Sequence, residues 1–154
     1  MLDEYADSTS ESGLFVAGFF DADTNQRLTE YLKVNNIPNP TAEGSFHVTI
    51  VNSVDPVDFP ENHTVDIYIP KDLNFLDCWP TPMGRTLVLR LFSPYLHFRF
   101  SESIAAGATY DYPVYNPHIT LSPDIGDWDY SHLVKPDFDI HLIGEYGTYH
   151  NNHH

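Results

Sequence analysis

The chain has 154 residues, 42% of them hydrophobic, which suits one domain with a core of its own. Seven basic residues face 22 acidic ones, for a net charge of −15. That balance excludes a grip on long DNA or RNA through many phosphate contacts and leaves a small nucleotide open as ligand. The single cysteine, Cys78, excludes an intramolecular disulfide framework, and no apolar run approaches the roughly 20 residues that span a bilayer. With the acidic, polar start MLDEYADSTSES, these features point to a soluble cytoplasmic protein with no membrane partner.

Residues 1–13 read as a flexible arm, 14–149 as a single domain and 150–154 as a tail whose His150, His153 and His154 carry no assigned chemistry. LFVAGFF, from Leu14 to Phe20, is a short apolar run that reads as a buried strand. Asp23 or Thr24 then caps a helix running to about Asn35, with Leu28, Tyr31 and Leu32 on one face. Asn36, Pro38 and Pro40 end it. Strands follow at Ser45 to Ser53 and at Thr64 to Ile69.

Residues 72–84 are rich in Pro, Asp, Gly and Trp and read as a loop. TLVLRLF, from Thr86 to Phe92, is the next strand; Ser93 and Pro94 supply an N-cap and a first-turn proline for a helix that Gly107 stops. A strand at Val114 to Ser122, a loop at 123–137 and a last strand at Phe138 to Tyr149 complete the chain. Strand–helix–strand thus occurs twice. Leu14 to His47 and Arg85 to His118 each span 33 positions. The expected fold is α+β: two duplicated halves facing each other across a pseudo-twofold axis, with a cleft between them.

The second strand of each half carries His-x-Thr, FHVTI at 46–50 and HITLS at 118–122. Such a motif is weak by itself, because nine histidines give about one chance match in a chain like this. The strand context and equal spacing sharpen it. Residues two apart on a strand share a face, so His47 projects with Thr49, and His118 with Thr120. Two imidazoles can divide the work of phosphodiester cleavage, one neutral as base and one charged as acid, while hydroxyls hold the non-bridging oxygens. That scheme requires no metal or other cofactor. Zinc would need a third ligand at a recognisable spacing, and the sequence offers none.

These motifs resemble the 2H phosphoesterases, defined by two His-x-Thr/Ser motifs on a duplicated α+β fold. The stretches SPYL at 93–96, AAGATYDYP at 105–113 and NPHITLS at 116–122 are most similar to the phage anti-CBASS cyclic-oligonucleotide phosphodiesterases. The resemblance implies that His47, Thr49, His118 and Thr120 are catalytic. It implies a small cyclic di- or trinucleotide such as cGAMP as ligand, with metal-independent cleavage of a 3′–5′ linkage by the adjacent 2′-hydroxyl. It further implies that Trp79 stacks a base, that Glu145 accepts from a base edge, and that Phe15 is the first-strand aromatic near the ligand. Phe15 stacks without hydrogen bonding. The alternatives are an RNA-end 2′,3′-cyclic phosphodiesterase on the same fold and a sponge that binds the cyclic nucleotide uncut.

Overall fold

A computed structural model describes residues 13–149; the tail, and the arm up to residue 12, lie outside them. The elements are β1 (Leu14–Phe20), α1 (Ala22–Val34), β2 (Val48–Ser53), β3 (Ile67–Ile69), β4 (Asn74–Thr81), β5 (Gly84–Leu91), α2 (Pro94–Ala105), β6 (His118–Ser122) and β7 (Ile140–Tyr149). One antiparallel sheet takes all seven strands in the order β3-β7-β1-β2-β6-β5-β4. The fold is α+β, as expected.

The two halves meet at the centre. β2 and β6 pair at Val48 and Ile119, the residues that follow the two histidines. An axis through that pair exchanges the halves. The duplication extends to an irregularity: β2 carries one extra residue, Ile50, opposite Val16 and Ala17 of β1, and β6 carries one, Leu121, opposite Leu87 and Val88 of β5. Both extra residues lie three positions after their histidine (47 to 50, 118 to 121).

One face of the sheet, with Val16, Val48, Leu87, Leu89, Ile119 and Leu121, shares a continuous apolar core with Leu28 and Leu32 of α1 and Leu96 of α2. Alternation sends His47, Thr49, His118 and Thr120 to the opposite face. Helix packing therefore leaves the histidine side of the sheet open.

Local chemistry explains the helix ends. Asp21 caps α1, its carboxylate accepting from the Thr24 amide at 2.8 Å; the expected caps Asp23 and Thr24 lie inside the first turn, Thr24 buried. Ser93 caps α2 with Pro94 in its first turn, and Gly107, at φ +110°, follows its end.

The expected loop at 72–84 is a strand over most of its length. β4 pairs with β5 from Asn74 opposite Leu91 to Thr81 opposite Gly84. Pro80 and Asp77 read as loop residues, but β4 is an edge strand, where a missing amide donor and a charge are tolerated. Gly84, at φ +129°, closes this hairpin against the Asp124 carboxylate, where a Cβ would collide.

Candidate active site

The register places the motif residues across from one another. Extending the Val48–Ile119 pair by one residue each way sets His47 opposite Thr120 and Thr49 opposite His118. Further out, Ala17 pairs with Thr49 and Tyr146 with Ala17; on the other side Arg90 pairs with His118 and Phe75 with Arg90. The two His-x-Thr motifs thus form the middle of the sheet's open face.

Both imidazoles are held in the same way. His47 Nδ1 lies 3.0 Å from the Ser45 carbonyl, and His118 Nδ1 2.8 Å from the Asn116 carbonyl. A carbonyl only accepts, so Nδ1 carries the hydrogen and Nε2 is left for the cleft as proton acceptor or, when charged, donor. Burial lowers the His118 pKa; the Asn116 carbonyl opposes that shift and nearby His47 adds to it.

Two hydroxyls fix the motif strands crosswise. Thr41, in the segment after α1, donates to the Thr120 carbonyl at 2.9 Å. Tyr115, in the segment after α2, donates to the Thr49 carbonyl at 2.8 Å. Each half's loop therefore steadies the other half's motif. Burial drives the Tyr115 phenol well above its ordinary pKa, so it remains a donor.

A cleft of about 1060 Å³ opens over this face. His47, His118 and Thr120 line it, with Trp79 and Met83 from the β4–β5 hairpin and Tyr112 from the segment before β6. Trp79, expected on a loop, stands near the end of β4, its ring edge-on to His118 at 4.6 Å. Its indole nitrogen donates to Asp77 at 2.9 Å, which fixes the ring. Phe15 sits on the histidine face of β1, edge-on to His47 with centroids 6.2 Å apart, and packs against Tyr146 at 6.4 Å.

Glu145 is elsewhere. It pairs with Gly18, whereas Thr49 pairs with Ala17, so its side chain points to the helix face. There the fully buried carboxylate receives Arg99 of α2 at 2.7 and 2.9 Å, the Tyr95 hydroxyl and the Asn62 amide. Burial alone would raise its pKa, but those bonds hold it below the usual carboxylate value. The expected base contact is corrected by this geometry: both oxygens are occupied on the far side of the sheet. Thr41, Arg90 and Tyr146 are neighbours of the site that sequence reasoning missed. Only strand register, which no motif announces, brings the last two there.

A family profile described as anti-CBASS protein Acb1 matches residues 12–152. The chain belongs to the Acb1 family. Acb1 of Escherichia phage RB16 is 38% identical over 146 residues, covering 92% of this chain and 83% of that protein. Acb1 of Enterobacteria phage T4 is 37% identical over 131 residues, 80% of each. Among solved structures, a phosphoesterase superposes with a TM-score of 0.60 at 14% identity, covering 89% of this chain and 87% of that one. Escherichia coli LigT complexed with 3′-AMP gives 0.58 at 15%, covering 94% and 91%. At such identities the likeness is one of fold alone, shared with that phosphoesterase and with LigT. This Acb1-family chain has no helix among its described residues long and apolar enough to cross a membrane. No group of three or more His, Cys, Asp or Glu among them is placed to hold a metal ion.

Proposed function

We propose that this protein opens cyclic di- or trinucleotide immune signals at a 3′–5′ phosphodiester, and so acts in phage counter-defence in the host bacterial cytoplasm. The observation that carries this reading is the matched pair of imidazoles, each with Nδ1 on a backbone carbonyl and Nε2 left for one cleft. Burial and nearby His47 both favour the neutral form of His118, which suits it to the role of base. It takes the proton of the ribose 2′-hydroxyl; the 2′-oxygen bonds to phosphorus and the bond to the 5′-oxygen breaks. His47, charged, gives its proton to that departing oxygen. Thr49 and Thr120 donate to the non-bridging oxygens, where negative charge builds. The product is a linear oligonucleotide ending in a 2′,3′-cyclic phosphate.

Trp79 lines the cleft and offers a stacking surface for a base; Phe15 with Tyr146 lies outside the cleft lining, beyond His47 on the same face of the sheet. The cleft of about 1060 Å³ stands at the upper end of small-ligand pockets, roughly 300–1,000 Å³, and suits a ring of two nucleotides better than one. The family's anti-CBASS name and the LigT structure with 3′-AMP agree with a small nucleotide ligand.

The test is incubation with a 3′,3′-linked cyclic dinucleotide in excess EDTA, read by chromatography. Wild type is expected to open the ring, and His47→Ala and His118→Ala each to lose about 10²–10⁴-fold in rate. Activity that vanishes on chelation would replace this scheme with metal-assisted hydrolysis. An intact ring recovered in tight complex would make the protein a sponge, and cleavage of RNA ends alone would move the substrate.

A further inference from the structure

Two His-x-Thr strands account for bond cleavage, but a protein of net charge −15 must also hold a ligand that carries two phosphodiesters. The overall field repels such a ligand, so the site itself must supply local donors, and a cation beside it would offset the repulsion most directly. Of the seven Lys and Arg residues, Arg85 and Arg90 lie on strands, both on β5, and alternation turns them to opposite faces. Arg85 ties down the segment after β6, donating to the carbonyls of Gly126 and Trp128. Arg99 is buried against Glu145, and Lys135 donates to the carbonyls of Lys71 and Asn74. Arg90 stands on the open face, directly across from His118.

Its surroundings connect it to the cleft. Nη1 is 3.8 Å from Asp77 Oδ2, a contact too long for a hydrogen bond, and the same oxygen already accepts from the Trp79 indole. The guanidinium lies 5.5 Å over the Phe92 ring and is partly exposed. Arg90, Asp77, Trp79 and His118 thus form one contiguous group. The pseudo-twofold adds a second argument. Gly18 pairs with Val48 as Leu89 pairs with Ile119, so the axis places Phe19 where β5 has Arg90. The reacting groups of the cleft are symmetric; its charge is not.

We propose that Arg90 binds the second, uncut phosphate of a two-phosphate cyclic substrate, and so sets which way round the ring docks. This rests on the reading of the site as a cyclic-oligonucleotide phosphodiesterase. The phosphate being cut lies between the imidazoles, on the β2 side of His118. Arg90 lies on the β5 side, one strand spacing of about 4.8 Å outboard, so the phosphate it meets is the neighbouring one. The planar guanidinium fork matches two phosphate oxygens at once, a geometry that lysine lacks.

The experiment compares wild type with Arg90→Gln and Arg90→Lys on two ligands. One is a 3′,3′-linked cyclic diadenylate, with two phosphates. The other is the linear dinucleoside monophosphate ApA, which offers the same bond with one phosphate. Arg90→Gln is expected to raise KM for the ring about tenfold, with kcat and melting temperature nearly unchanged, and to leave ApA cleavage as it was. Arg90→Lys should restore part of the loss. Equilibrium Kd values on a His47→Ala background, with and without Arg90→Gln, provide a readout that needs no turnover. An unchanged Kd for the ring, or equal losses on both ligands, overturns the assignment while leaving the phosphodiesterase reading in place. Failure of wild type to cleave or bind the ring overturns both.

Discussion

His118 is more buried than a surface histidine and has His47 as a neighbour, and both conditions favour its neutral form. Removing His47 removes one of them. His47→Ala is therefore expected to raise the His118 pKa toward the ordinary 6.5, as followed by ring-proton NMR titration. An unmoved titration would mean that the two rings do not share a field. With His118 as base, the acid limb of the kcat/KM profile should fall below pH 6.5, because the group whose protonation stops the reaction titrates low. Trp79 bears on the same ring from its edge, and Asp77 holds the indole in place. The ring proposed to stack a base and the imidazole proposed to cut the bond therefore meet at one contact.

At the scale of elements, α2 is fastened to the sheet by a buried charge pair. Arg99 reaches Glu145 of β7 with two nitrogens, and the Tyr95 hydroxyl joins them, its pKa pushed up to about 12 mainly by burial and then by Glu145. Glu145→Ala leaves the Arg99 cation buried without its partner and is expected to cost about 3–5 kcal/mol of stability by chemical denaturation. Cleavage by the folded fraction should persist, which separates an anchor from a ligand contact. The sequence was most readable where period and chemistry coincide. FHVTI and HITLS alternate strictly, so both the strands and the shared face of His and Thr were legible. β4 was obscured because Pro80 and Asp77 are turn residues in most settings, and only its place at the sheet edge admits them. The place of Glu145 is hidden for a different reason. Its partner Arg99 lies 46 residues away, and no local pattern announces that pairing.

Across the whole molecule, His141 joins three segments: Nδ1 meets Asp21 at the start of α1 at 2.9 Å, Nε2 meets Asp66 before β3 at 2.7 Å, and the ring stacks on Tyr68 at 4.0 Å. Hydrogen bonding to Asp21 is the largest influence on its pKa, which stands above 6.5, with Asp66 adding to the rise. The sign follows from linkage. Its stabilisation is fully present below 6.5, where even the unfolded chain is protonated, and is lost as pH climbs through the raised folded value. The melting temperature of wild type should drop relative to His141→Gln as pH rises above 6.5; parallel curves would show that the bridge does not act. The central axis through Val48 and Ile119 has a kinetic meaning as well. In the proposed scheme, one turnover leaves the proton on the histidine that began without it and strips the one that began charged. In a perfectly twofold site that state is the starting state rotated by half a turn, and a ring entering the other way round would find donor and acceptor already set. Arg90 on one side of the axis, holding the uncut phosphate as proposed, works against that alternation. On that scheme each cycle ends with a proton returned through solvent before the next ring is cut.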